Sequence, residues 1–123
     1  MTKNIIILVK SKYLPERSNH NKPFFLFSYN VKITNKTKSR VQLLSRYWNI
    51  TDGNKAIEDI HGPGIIGQKP TINAGASHSY MSFCRISTPI GFMKGSFRFI
   101  KKEAIEFDVP IKTFKLIAKE ELN

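Results

Sequence analysis

The segment PFFLFSYNVKITN, residues 23–35, places Phe25, Phe27, Tyr29, Val31 and Ile33 at every second position. Successive Cβ atoms on a strand point to opposite sides of the pleat, so these five side chains share one face. Burying them is worth on the order of 10 kcal/mol, and that demands a second apolar layer. The other face carries Asn30 and Lys32. A strand apolar on one side only is half of a two-layer β architecture.

The same period recurs along the chain, while apolar spacing of three and four hardly appears. IIILV (Ile5 to Val9) reads as a buried strand, since five apolar residues fall far short of the ~20 that a membrane helix needs. RVQLLSRYWNITDGNKAIEDI predicts a strand through Leu44, Tyr47, Trp48 and Ile50, a turn at Asp52-Gly53 and a returning strand around Ala56 to Ile60. KPTI starts a short extended piece, NAGA turns it, and SHSYMSFCRI follows as a strand. STPIGFMKG reads as a loop broken by Pro89, Gly91 and Gly95. A second hairpin runs through Phe97 and Phe99, turns near Lys101 to Glu103 and returns through Ile105, Phe107, Val109 and Ile111. One helical competitor exists near the C-terminus, where Phe114, Ile117, Ala118 and Leu122 could share a face.

About seven short strands and no long helix predict an all-β sandwich rather than a barrel or α/β fold, as one domain over residues 1–123. A lone tryptophan in an early strand of such a fold belongs to the core, which assigns Trp48 there. Arg46 and Tyr47 precede it and point to opposite faces, so either is available to stack on a base or meet a partner.

Glycines at 62, 64 and 67 in HGPGIIG give the spacing G-x-G-x-x-G. In dinucleotide-binding proteins that spacing follows a strand and opens a helix, whose N-terminus holds a pyrophosphate. Here QKPTINAG follows, with Pro70, β-branched Thr71 and Ile72, and Gly75, so a helix cannot start comfortably. The glycines are therefore expected to serve a tight connection, with Ile65 and Ile66 anchoring it. A concave nest of amides at Gly62, Gly64 and Gly67, flanked by His61 and Lys69, remains the one candidate anion site.

Catalytic chemistry has no visible carrier. Cys84 has no local base or cation and reads as a small core residue, and Ser77, Ser79 and Ser82 are strand positions without a nucleophile elbow. His20, His61 and His78 lack zinc-type spacing, and the trio Glu58, Asp59 and His61 offers at most a weak, exposed cation site. No catalytic residue, metal site or cofactor is expected. One cysteine excludes an internal disulfide and, with no signal-like start, points to the cytoplasm.

The formal net charge is +11. Lysine outnumbers arginine about threefold and is scattered, and isoleucine and asparagine are abundant too. That joint skew is expected from drift in an AT-rich genome. The charge is thus read as raising solubility and weak non-specific affinity, without a specific nucleic-acid partner or membrane insertion.

With these segments in view, the chain resembles the ApaG family. The resemblance rests on VQLLSRYWNITDGN (41–54), HGPGIIGQKP (61–70), AGASHSYMS (74–82) and STPIGFMKGSF (87–97), with FFLFSYNVKITN and FDVPIKTFKL in the family's order. It implies a fibronectin type III or immunoglobulin-like sandwich. It also implies that Gly62, Gly64 and Gly67 match a pattern noted in the family as a pyrophosphate element without settled activity. Family members are associated with cobalt resistance and magnesium efflux, and a single sandwich without a membrane span affects efflux only indirectly. The strong basicity departs from the family's usual character. The expectation is a non-enzymatic protein-interaction module acting through loop ends or a sheet edge, with homodimerisation open to it. The alternative is phosphate, pyrophosphate or metal-linked ligand binding at the glycine loop.

Overall fold

The computed structural model describes residues 4–18, 24–65 and 67–119. Among the described residues, eight strands form two antiparallel sheets: β1 Ile5–Tyr13, β2 Phe25–Asn35, β3 Val41–Asp52, β4 Ile57–Pro63, β5 Thr71–Ile72, β6 Ser77–Ile86, β7 Ile90–Lys101 and β8 Ile105–Ile117. One sheet has the order β1-β2-β6; the other runs β4-β3-β7-β8, with β5 also paired to β3. Short 3-10 turns lie at Pro15–Arg17 and Lys102–Ala104. The two-layer sandwich expected from the alternation is present. The strand beyond the expected seven or so is β5, a two-residue return to β3.

The five alternating residues of β2 are all buried, at 8% exposure or less. Facing them are Trp48 and Ile50 of β3, Phe97 and Phe99 of β7, and Val109 and Ile111 of β8. Trp48 sits centrally, with edge-on contacts to Tyr29 (5.3 Å), Phe114 (5.9 Å) and Phe97 (6.0 Å) between ring centroids. These T-shaped geometries set the positive ring edge against the neighbouring π face. Cys84 is buried, as its sequence context suggested.

The buried Asn35 closes the β2–β3 turn. Its Nδ2 donates to the carbonyls of Ser39 and Ile72, and its Oδ1 accepts from the Thr37 amide and hydroxyl. All four bonds are 2.9 Å or shorter. A buried amide is tolerated only when it is so satisfied, and this one ties β5 to the turn.

Two readings need correction, and the helical alternative is settled. β1 is an edge strand rather than a buried one: Ile5 is buried but Leu8 is 59% exposed. The segment STPIGFMKG is not all loop, because β7 begins at Ile90 and continues through Gly91 and Gly95. Gly95 is a close-approach position, where an added Cβ would run into the carbonyl oxygen of Tyr47. The helical competitor is strand through Ile117, with Leu122 outside the described residues. The strand read through Leu44 is present as β3, where a register shift at Leu44 leaves Leu43, 0% exposed, on the core face.

The Asp52-Gly53 hairpin forms, but aspartate rather than positive-φ glycine shapes it. Asp52 Oδ1 accepts from the amides of Asn54 (2.8 Å) and Ala56 (3.0 Å), and the left-handed residue is Lys55.

Replacing Gly95 by alanine is expected to cost about 3 kcal/mol, because overpacking a strand interior against backbone leaves nothing to yield. Urea unfolding measures this, and a Gly75→Ala control, in open space at positive φ, should cost about 1 kcal/mol.

Candidate functional site

The glycine segment lies along one edge of the larger sheet. Pro63 faces Ser45 and Thr71 faces Gln42, so three steps along β3 correspond to eight along the edge. The five additional residues are thrown out as a closed bulge between β4 and β5. Its mouth is stitched to β3: the Gly64 amide donates to the Leu44 carbonyl (2.8 Å) and the Leu43 amide to the Pro70 carbonyl (3.0 Å). Inside it, Ile65 and Gln68 exchange both backbone hydrogen bonds, at 2.6 and 2.9 Å.

Hydrogen-bonded pairs alternate along an antiparallel ladder. Counting back two from Gly64–Leu44 puts Gly62–Arg46 in the same bonded class. Pro63, opposite Ser45, falls in the unbonded class, where a missing N–H faces away from the sheet.

Arg46 lies on the face of β3 that holds Trp48 and Ile50, towards the sandwich interior. Its Nη1 donates to the carbonyls of Pro63 and Gly64, both at 3.1 Å. To reach them the guanidinium passes over Gly62, where a Cβ would lie 2.8 Å from Nη1 and 3.0 Å from Cζ. Gly64 has φ +56°, and its absent Cβ would overlap the Gln68 carbonyl. Gly67 has φ +77° but open space around it. Ile65 is buried and anchors the bulge as expected; Ile66 lies outside the described residues. The three glycines thus answer to three different constraints.

The opposite face of β3 carries Tyr47, stacked on His61 with centroids 4.7 Å apart. Asp59 Oδ1 accepts from the Tyr47 hydroxyl (2.7 Å) and from Asn49 Nδ2 (2.9 Å). These donors hold the Asp59 carboxyl below its usual range, and the same bond raises the Tyr47 hydroxyl. Next to them an open depression of about 640 Å³ is lined by Ser45, Tyr47, His61, Pro63, Ser96 and Arg98. Its one outer-face guanidinium is already engaged, since Arg98 pairs with Glu106 (2.8 Å) and Asp108 (2.9 Å).

Asp59 and His61 share a face as the spacing required, whereas Glu58 falls on the other. Among the described residues, no group of three or more His, Cys, Asp or Glu side chains is placed to hold a metal ion. Burial pushes the Cys84 thiol up to about 12, so it stays protonated. Burial likewise raises Tyr29 and Tyr80, which the nearby Arg46 charge offsets in part. Arg46 and Tyr47 are the pair that sequence reasoning left open; Arg46 turns to the interior face and Tyr47 to the outer one. The signal for Arg46 was the even-numbered face shared with Trp48 and Ile50.

A family model described as the ApaG domain matches residues 15–101. A Methylocella silvestris protein named ApaG is 39% identical over 116 residues, covering 94% of this chain and 89% of that one. Its namesake from Anaeromyxobacter dehalogenans is 38% identical over 123 residues, covering 100% and 97%. A solved structure from Bordetella pertussis superposes with a TM-score of 0.90 at 36% identity over 94% of each chain.

Gly64→Ala is expected to cost about 3 kcal/mol, since it combines a left-handed backbone with backbone overlap, and Gly67→Ala about 1 kcal/mol for the φ alone. Denaturant midpoints rank the two. Equal costs would contradict the geometric distinction.

Proposed function

The chain belongs to the ApaG domain family, and on that premise we propose that it is a non-enzymatic interaction module that accepts an extended peptide segment along the open side of its sandwich. The observation that carries this reading is the β4 edge. Ile57, Asp59 and His61 occupy unbonded positions opposite β3, so their amides point outward, and Ile57 is 65% exposed. Beside this edge, two cavities of about 190 and 200 Å³ share Ile50, Glu58 and Arg85, forming a groove between β4 and β6. On the far side Ser11 of β1 donates to the Lys115 carbonyl of β8 at 2.8 Å, which ties the two sheets together at that point, beside a depression of about 480 Å³ lined by Ile5, Ile7, Val109 and Lys112.

An incoming strand would gain main-chain hydrogen bonds from β4 and side-chain pockets from the groove. Pro63 and the bulge end the edge, which limits pairing to one short segment and guards against open-ended association. A second copy could use the same edge only against the mutual repulsion of two chains of net charge +11. Any link to cobalt resistance or magnesium efflux would run through the partner, in a reducing compartment such as the cytoplasm. The alternative, pyrophosphate at Gly62, Gly64 and Gly67, has weaker support because the amides of Gly64, Ile65 and Gln68 are donated within the protein.

A photo-crosslinking residue at Ile57 should give discrete adducts in extract of the source cells, while one at Lys115, where β1 is tied to β8, should not. Asp59→Pro, which removes an outward amide and leaves the ladder intact, should abolish those adducts. Adducts equal at both positions, or unaffected by the proline, would sink the reading.

A further inference from the structure

The two outer faces of the sandwich differ in charge. The larger sheet shows Asp59, Glu106 and Asp108 outward. Strands β1, β2 and β6 contain no aspartate or glutamate at all. Their outward positions carry Lys10, Lys12, Lys32 and Arg85, all exposed, interleaved with Asn30 and Ser79. The register makes this one continuous surface: Lys32 lies between Leu8 and Ser79, Asn30 between Lys10 and Met81, and Ser28 between Lys12 and Phe83. Leu8, Met81 and Phe83 are 59%, 49% and 46% exposed. Arg17 places its guanidinium over the Phe83 ring, 5.3 Å from the centroid, and Arg85 covers Phe24 at 5.2 Å.

We propose that the outer face of the β1-β2-β6 sheet binds single-stranded nucleic acid without sequence preference. Lys10, Lys12 and Lys32, on strands that carry no carboxylate, meet phosphates, and an exposed ring with a stacked guanidinium gives bases a planar platform. Other occupants fit less well. A second copy brings its own excess of positive charge. Three strands about 4.8 Å apart and nine residues rising about 3.3 Å each make a face of roughly 400 Å². That is about half of the ~800 Å² per partner of a standard protein interface, but wide enough for one extended strand. A bilayer would have no use for the Asn30 and Ser79 side chains between the apolar ones. The face adjoins the β4–β6 groove at Phe83 and Arg85, whereas Lys10, Lys12 and Lys32 stand away from it.

The test is fluorescence anisotropy of the full chain with labelled 20-mers of thymidylate and uridylate between 50 and 200 mM salt. Lys10→Gln/Lys12→Gln/Lys32→Gln should weaken binding at least tenfold at 50 mM salt and reduce the log–log salt slope by about 2, at roughly 0.7 for each phosphate no longer neutralised. The charge-matched Lys101→Gln/Lys102→Gln/Lys112→Gln should change it less than threefold. Phe83→Leu, which keeps apolar bulk and removes the ring, should weaken it about fivefold. Equal losses from the two triples would reduce the effect to net charge and overturn the proposal. So would an unchanged affinity in Phe83→Leu, absence of binding at 50 mM salt, or binding confined to acidic peptides or phosphatidylglycerol vesicles. None of these outcomes bears on crosslinks at Ile57, so the two surfaces are tested separately.

Discussion

Burial of Trp48 sets the phase of β3, and much of the molecule follows from that phase. With its ring held edge-on by Tyr29, Phe97 and Phe114, every even-numbered residue from 46 to 50 faces the interior and every odd-numbered one faces out. Arg46 is therefore directed inward, and a half-buried guanidinium is stabilised where acceptors meet it. The Pro63 and Gly64 carbonyls do so, but only across a residue with no side chain at position 62. Tyr47 and Asn49, one step out of phase, gather Asp59 on the opposite face. One aromatic thus dictates both the shape of the bulge and the polar cluster behind it.

The glycine spacing acquires a different meaning in this setting. In a nucleotide-binding turn, glycine lets backbone amides reach a phosphate. Here Gly64 gives its amide to Leu44, and the bulge turns two carbonyls towards an arginine. Such a device fixes the end of an edge strand. That suits a protein whose proposed work is done along the open β4 edge and across a carboxylate-free sheet face, both of which need a rigid frame more than a reactive group.

Legibility in the sequence followed the strength of the local signal. Phe25 to Ile33 alternate without interruption, and that one strand already required two layers. Trp48 was assignable to the core as the lone tryptophan of a two-layer β fold, and Cys84 from the absence of a base or cation beside it. What stayed hidden arises from pairing across distant segments. The shift at Leu44 exchanges two leucines between faces, and either would satisfy the local pattern. Gly91 and Gly95 look like breaks because their partner backbones lie far away in sequence, while β1 looks buried because five apolar residues do not reveal that, among the described residues, it pairs with β2 alone. The role of Arg46 depends on the β3–β4 register, which is visible only once the hairpin is placed.

The most direct measurement is a double-mutant cycle on Arg46 and Gly62, read by urea unfolding. Gly62→Ala should cost about 1.5 kcal/mol in the parent chain, by displacing the guanidinium from its two carbonyls. It should cost under about 0.5 kcal/mol once Arg46 is alanine, giving a coupling of at least about 1 kcal/mol. Additive costs, with no coupling between the two positions, would contradict the account of why this chain carries glycine there.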